Sequence, residues 1–165
     1  MVRVPGIRIR HVEPNDSAQW LALRGALWPE EGQESLASAV ARFFTEPHPT
    51  PGLMPEAVLV AVEEKPDRRI VGFAEVSRRP YAEGCDSSPV GFLEGWYVIP
   101  EHRRRGVGAA LVTAAQKWAR NLGCSEFASD ALADNTVSAA AHLALGFEEV
   151  ETIRCFRKDL SGRDA

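Results

Sequence analysis

The run Arg103-Arg104-Arg105-Gly106-Val107-Gly108 lies between an apolar segment, Phe92 to Ile99, and a segment with helical spacing, Ala109 to Arg120. Glycines at 106 and 108 let backbone N–H groups come close to a ligand. A helix that begins just after them aims unpaired donors and a positive dipole end at an anion. The arginines add guanidinium groups that match phosphate oxygens in charge and shape. These residue types in this order predict a pyrophosphate site at Arg103, Arg104, Arg105, Gly106, Val107, Gly108 and Ala109. A dinucleotide fingerprint would place a third glycine where Leu111 stands, and a phosphate-loop NTPase would need Gly-Lys-Ser/Thr, which is absent. Two carboxylates complete the candidate chemistry. Glu94 is mid-strand in Phe92-Leu93-Glu94-Gly95-Trp96, where a charge is costly without a partner, either a ligand cation or a structural ion pair. Asp130 ends Ala128-Ser129-Asp130, at the strand terminus where α/β sheets bind ligands, or it caps a loop.

Elements must position these groups. Ile7, Ile9 and His11 alternate with polar neighbours as an edge strand. Pro14-Asn15-Asp16-Ser17 has helix-start chemistry, and Trp20, Leu21, Leu23, Leu27 and Trp28 follow at helical spacing until Pro29-Glu30-Glu31-Gly32 breaks the pattern. Glu34 to Glu46 reads as a second helix with Leu36, Val40 and Phe43 on one face. Pro47 to Gly52 is a mobile loop by composition. Val58 to Val62 and Ile70 to Val76 form a hairpin around Asp67-Arg68-Arg69, and Pro80 to Pro89 is a polar loop carrying Tyr81 and Cys85. Gly91 to Ile99 is the central strand. The helix Val107 to Leu122 stops at Gly123, and Glu126 to Ser129 is a strand. Asn135 to Leu145 is a helix stopped at Gly146, and Phe147 to Phe156 is a last strand. The order β-α-α-β-β-β-α-β-α-β predicts an α/β fold with a mixed, mostly antiparallel central sheet flanked by helices, parallel across the strand–loop–helix–strand core. A length of 165 residues predicts a single domain over 1–165.

Apolar residues make up 45% and charged residues 25%, a soluble, globular composition with no run approaching membrane-spanning length and no signal-peptide core at the N-terminus. A net charge of −4 argues against nucleic acid as the main partner and is compatible with a cationic small substrate. Cys85, Cys124 and Cys155 have no metal-like spacing, so neither a zinc site nor a disulfide framework is expected, and reduced thiols in the cytoplasm are.

Arg103-x-x-Gly106-x-Gly108 between strand and helix resembles the acetyl-CoA loop of the Gcn5-related N-acetyltransferases, and the element order is similar to that fold over nearly the whole chain. Asp134-Asn135 through Leu145-Gly146-Phe147 resembles that family's second signature. The resemblance implies acetyl-CoA as co-substrate and no metal. It implies that backbone N–H groups of Trp96, Tyr97 and Val98 meet the acetyl carbonyl and pantetheine, and that Asn135 contacts the pantetheine arm. Read from its residue type alone, Asn135 is a helix cap. Where the family often has a tyrosine that protonates the leaving thiolate, this chain has His142, which is either that donor or a satisfied helix histidine.

A closer resemblance is to the aminoglycoside 6'-N-acetyltransferases. It rests on Ser88-Pro89-Val90-Gly91-Phe92-Leu93-Glu94-Gly95, then Tyr97-Val98 and Pro100-x-His102-Arg103-Arg104, on Glu126-Phe127-Ala128-Ser129-Asp130-Ala131, and on Leu23-Arg24-x-x-Leu27-Trp28. It implies that Trp28 and Tyr81 line the drug pocket, while Glu94 and Asp130 hold its amines and act in catalysis with His142. Trp28 reads otherwise as a core residue and Tyr81 as a loop aromatic. Glu30, Glu31, Glu34, Glu83 and Asp86 are expected at the rim. The implied activity is transfer of acetyl from acetyl-CoA to the drug's 6'-amine by direct attack, conferring resistance. An N-acetyltransferase for a polyamine, an amino acid or a peptide N-terminus is the alternative, and an acyl-CoA-binding regulatory module without turnover is a third reading. Such enzymes are commonly dimers, and Val150, Ile153 and Phe156 of the final strand are placed to join a partner's sheet.

Overall fold

The computed structural model describes residues 4–46, 54–64 and 68–161. The expected loop over 47–52 and the Asp67 turn position lie outside them. The chain forms two compact units, Met1–Asp130 and Ala131–Ala165.

The first unit is built on a five-stranded sheet in chain order. Its strands are β1 (Ile7–His11), β2 (Ala57–Glu63), β3 (Ile70–Arg79), β4 (Val90–Val98) and β5 (Phe127–Ser129). Strands β1 to β4 pair antiparallel, and β5 pairs parallel to β4. That last pairing needs a crossover, which α3 (Val107–Asn121) supplies. Residues 57–62 and 70–77 are buried without interruption, as expected of strands covered on both faces. Successive residues of β3 show the two layers. A Cβ on Gly72 would lie 3.2 Å from Leu111 of α3, whereas Phe73 meets Trp28, the residue that closes α1 (Ser17–Leu27), with ring centres 6.2 Å apart. Helix α2 (Gln33–Thr45) packs on α1 through Phe43 and Phe44, which set their rings edge-on to the fully buried Trp20 at 5.2 and 6.0 Å.

Two irregularities shape the sheet. Val71 is an extra residue of β3 between the pairs Ala61–Gly72 and Val62–Ile70. Glu94 is an extra residue of β4 between the pairs Val76–Leu93 and Glu75–Gly95. Registered pairing of β4 with β5 ends at Leu93–Ser129, so residues 94–98 of β4 have no strand registered against their β5 side.

Strand β3 runs to Arg79, three residues beyond the expected end at Val76. The polar residues Ser77, Arg78 and Arg79 still pair with Phe92, Gly91 and Val90, because ladder hydrogen bonds do not depend on side-chain polarity.

The second unit contains α4 (Thr136–Ala144), followed by Gly146 at φ +83. The final strand expected over 147–156 is absent from the described residues, and 147–161 carry no regular element. Its apolar residues explain the difference. Val150, Ile153 and Phe156 recur every third position, so no extended face collects them, and Phe156 is 91% exposed.

Gly91 is the tightest seat of the crossover: a Cβ there would lie 2.6 Å from Ala119 of α3 and 2.7 Å from Phe127 of β5. Gly91→Ala is therefore expected to lower the unfolding free energy by about 2 kcal/mol, read from the urea midpoint at unchanged slope.

Candidate active site

The glycine loop is anchored before it turns. The helical turn Pro100–His102 is tied to β2 by His102 Nε2, 3.0 Å from Glu63 Oε1. Arg103 turns back to the sheet, where its Nε–H donates to the Val98 carbonyl at 2.8 Å and its guanidinium lies over the Tyr97 ring. Arg104 sits at φ +61 and Gly106 at φ +82, so the chain reverses sharply into α3. The first intrahelical bond runs from Ala110 N–H to the Gly106 carbonyl at 2.9 Å, which leaves the Val107, Gly108 and Ala109 N–H groups ahead of the helix ladder. Arg104 and Arg105 are exposed beside them. This arrangement fits a diphosphate: donors at a helix start with mobile cations at its rim. Gly108 has a second role that its spacing alone did not suggest. A Cβ on it would lie 2.6 Å from Trp96 Cζ2, so the glycine makes room for the Trp96 indole against the start of α3.

Glu94 is half-buried and partnered. Arg79 donates to it through both Nε, at 3.0 Å, and Nη2, and Ser77 donates through its hydroxyl. The Arg79 guanidinium also stacks 3.4 Å from the centre of the Phe92 ring. The bulge carries this carboxylate out of the β-ladder at the start of the open edge of β4. Asp130, exposed, follows Ser129 as Glu94 follows Leu93, so the two carboxylates stand one residue beyond the last parallel pair. Trp96, Tyr97 and Val98 lie along the same edge.

Trp28 is half-buried, and its indole rests on the backbone of Gly95, where a Cβ would come within 2.5 Å of the ring. Tyr81 is 63% exposed at the head of the 80–89 loop. That loop is fixed further along. Ala82 packs with Val90 and Phe92, and Glu126 Oε2 accepts the backbone N–H groups of Asp86 at 3.0 Å and Ser87 at 2.6 Å. The Ser87 side chain first, and then these backbone bonds, hold the Glu126 carboxyl below its usual range. Burial pushes the Cys85 thiol up, and Glu126, Asp86 and Glu83 add to the effect, so this cysteine is a poor nucleophile. Glu30, Glu31, Glu34, Glu83 and Asp86 are all exposed.

In the second unit, Asn135 caps α4: its Oδ1 accepts the Ser138 N–H at 3.0 Å. His142 Nδ1 lies 2.8 Å from the Ser138 carbonyl, and its ring meets Phe147 edge-on. Among the described residues no group of three His, Cys, Asp or Glu side chains is placed to hold a metal ion, and no helix is long and apolar enough to cross a membrane.

Sequence reasoning missed the polar row beneath Glu94. Glu75, Ser77 and Arg79 alternate on β3, and their two-residue period in an otherwise apolar strand was the available signal. Glu75 is buried and accepts Trp20 Nε1–H at 2.9 Å. Burial pushes its carboxyl up to about 7, with Glu94 and Glu31 acting in the same direction and Arg24 and Trp20 against it.

Residues 19–147 match the acetyltransferase (GNAT) family model, and the chain belongs to that family. Among its relatives, the aminoglycoside N(6')-acetyltransferase type 1 of Klebsiella aerogenes is 53% identical over 152 residues, covering 92% of this chain and 96% of the relative. The enzyme of the same description from Stenotrophomonas maltophilia is 44% identical, covering 92% and 93%. Aminoglycoside N-acetyltransferase AAC(6')-Iy in complex with CoA superposes with a TM-score of 0.81 at 38% identity, covering 92% of this chain and 94% of that one. The same enzyme with the bisubstrate analogue CoA-S-monomethyl-acetylneamine gives 0.80 at 38% identity, covering 93% and 98%.

The raised Glu75 carboxyl has a sign that can be tested. Between its ordinary value of 4.5 and about 7 the folded chain keeps a proton that the unfolded chain releases, so this group's contribution falls as pH rises through that window and is constant above it. The unfolding free energy of Glu75→Gln relative to the parent should accordingly gain roughly 3 kcal/mol between about pH 5 and about pH 8, measured by urea unfolding across the range.

Proposed function

We propose that this chain transfers the acetyl group of acetyl-CoA to the 6'-amine of aminoglycosides. The observation that carries the reading is the opened edge of β4. Glu94 is lifted out of the ladder there, Asp130 ends the neighbouring parallel strand, and the helix-start loop of α3 follows on the same strand. The relatives named above, alike over nine-tenths of the chain, support the choice of acceptor.

The residues at the start of α3 fit the co-substrate's diphosphate: N–H groups of Val107, Gly108 and Ala109, with Arg104 and Arg105 beside them. Arg103 is better suited to bracing the loop through Val98 than to meeting phosphate directly. Bound acetyl-CoA supplies an acetyl group activated as a thioester. Of Trp96, Tyr97 and Val98, the alternate backbone donors of Trp96 and Val98 face away from β3, on an edge that takes a carbonyl or an extended polar arm, while the Tyr97 amide between them faces β3. Asn135 serves the arm while capping α4, and His142 holds a proton for a departing thiolate. Glu94 and Asp130 hold the acceptor's ammonium groups, and Glu94, or a water on it, takes the amine's proton. Arg79 shares the Glu94 charge and orients that carboxylate. Trp28 and Tyr81 wall the acceptor.

The amine attacks the acetyl group directly; burial raises the Cys85 and Cys124 thiols and so disfavours either as an acyl carrier. Acetylation removes a cation from the drug and so confers resistance. Residues 1–165 act as one catalytic domain, and the family match spans the boundary between the two compact units. The enzyme works in the cytoplasm as a homodimer, and the exposed Val150, Ile153 and Phe156 suit a partner surface.

Thiol release from acetyl-CoA tests the reading. Kanamycin and tobramycin should be turned over, and a 6'-hydroxyl aminoglycoside, spermidine and mixed peptides should not. Turnover of spermidine or peptides without turnover of the drugs would replace the acceptor while leaving the fold and loop in place. Glu94→Gln should lower kcat/KM for the drug about 100-fold and Asp130→Asn about tenfold, both at unchanged KM for acetyl-CoA.

A further inference from the structure

Arg24 places a cation inside the first unit. It is 8% exposed, and its guanidinium carbon lies 5.6 Å from the centre of the Trp20 ring and 5.0 Å from that of Trp28. Its Nε is 3.5 Å from Glu75 Oε1, and neither Nε nor Nη1 makes a hydrogen bond among the described residues. Charge attraction to Glu75 and the faces of the two indoles therefore hold this group. A buried guanidinium persists only where a counter-charge offsets its lost hydration, and Glu75 is the carboxylate paired with it here.

The contacts form a closed path. Glu75 of β3 is registered opposite Gly95 of β4. The Trp28 indole lies on Gly95, and Arg24 lies on Trp28 one helical turn earlier in α1. Glu94 precedes Gly95 in the bulge. The height of Trp28 above β4 is thus set by a charge pair that reaches it from β3 and α1.

We propose that Glu75 and Arg24 are positioning residues for the acceptor site: the pair clamps Trp28 flat on Gly95 and so fixes the aromatic wall beside Glu94. The inference rests on the reading that Trp28 and Glu94 bound the acceptor.

Two variants, Glu75→Gln and Arg24→Met, test it independently, so that poor folding of one leaves the other informative. Each should raise KM for kanamycin about tenfold while kcat and KM for acetyl-CoA stay within about twofold. In protein labelled with 5-fluorotryptophan, with the Trp28 signal assigned through Trp28→Phe, both variants should shift the Trp28 fluorine resonance, whereas the Trp118 resonance should stay in place. A stationary Trp28 resonance, or a KM for acetyl-CoA that rises as much as that for the drug, would overturn the clamp. The parent enzyme run on the same acceptors separates the two claims. If it turns over no aminoglycoside, the acceptor reading fails, and the fluorine resonance still decides whether the pair positions Trp28.

Discussion

Everything in the candidate site depends on one break in hydrogen-bond register. Strand β4 is paired on both sides up to Leu93 and on one side beyond it, and the break coincides with the extra residue Glu94. An unbroken ladder would bury the carboxylate in the sheet and occupy the N–H and C=O groups of 95–98. With the bulge, the same strand is paired on both sides in its first half and, among the described residues, on one side in its second. The crossover through α3 then brings a helix start to the end of that edge. The sheet thus sets the separation between Glu94 and the helix start of α3.

Charge in the first unit is layered across β3. On one face Glu75 meets Arg24 under two indoles, and at the strand's end Arg79 and Ser77 hold Glu94. The two carboxylates are on different footings. Glu75 has a counter-charge at 3.5 Å and a single hydrogen bond, and burial dominates it. Glu94 has several donors and access to solvent. Its donors, Ser77 and Arg79, fix the orientation of that carboxylate. The deeper carboxylate is raised to about 7 by burial, and above that pH it carries the charge that faces Arg24. This division of labour could not be read from two glutamates in apolar strands, because it depends on cross-strand neighbours.

Local patterns carried the first unit well. Helical spacing from Trp20 to Trp28, the apolar runs of β2 and β3 and the glycine stop at 123 each have short-range causes, and the observed elements agree with them within a few residues. The glycine loop was legible because a helix start needs few residues to declare itself. Glu94 was legible as a misplaced charge, but its partners Ser77 and Arg79 were hidden when the strand was ended at its first polar residues. Gly108 was read as room for a ligand, and it also makes room for Trp96, a contact between elements that no spacing encodes. Residues 147–156 show the opposite failure: apolar content suggested a strand, but threefold spacing gives no common face.

Glu126 divides the 80–89 loop into unequal parts. Its carboxylate fixes the backbone at Asp86 and Ser87, while Tyr81 and Glu83 stand exposed ahead of that anchor. Substitutions at Tyr81 or Glu83 leave the anchor and the buried Ala82 untouched, so those two positions can vary, by natural drift or in a combinatorial library, without disturbing the sheet. The same economy exposes a weakness: a single change at Glu126 would release both anchoring bonds together, and every specificity built into the loop would go with them.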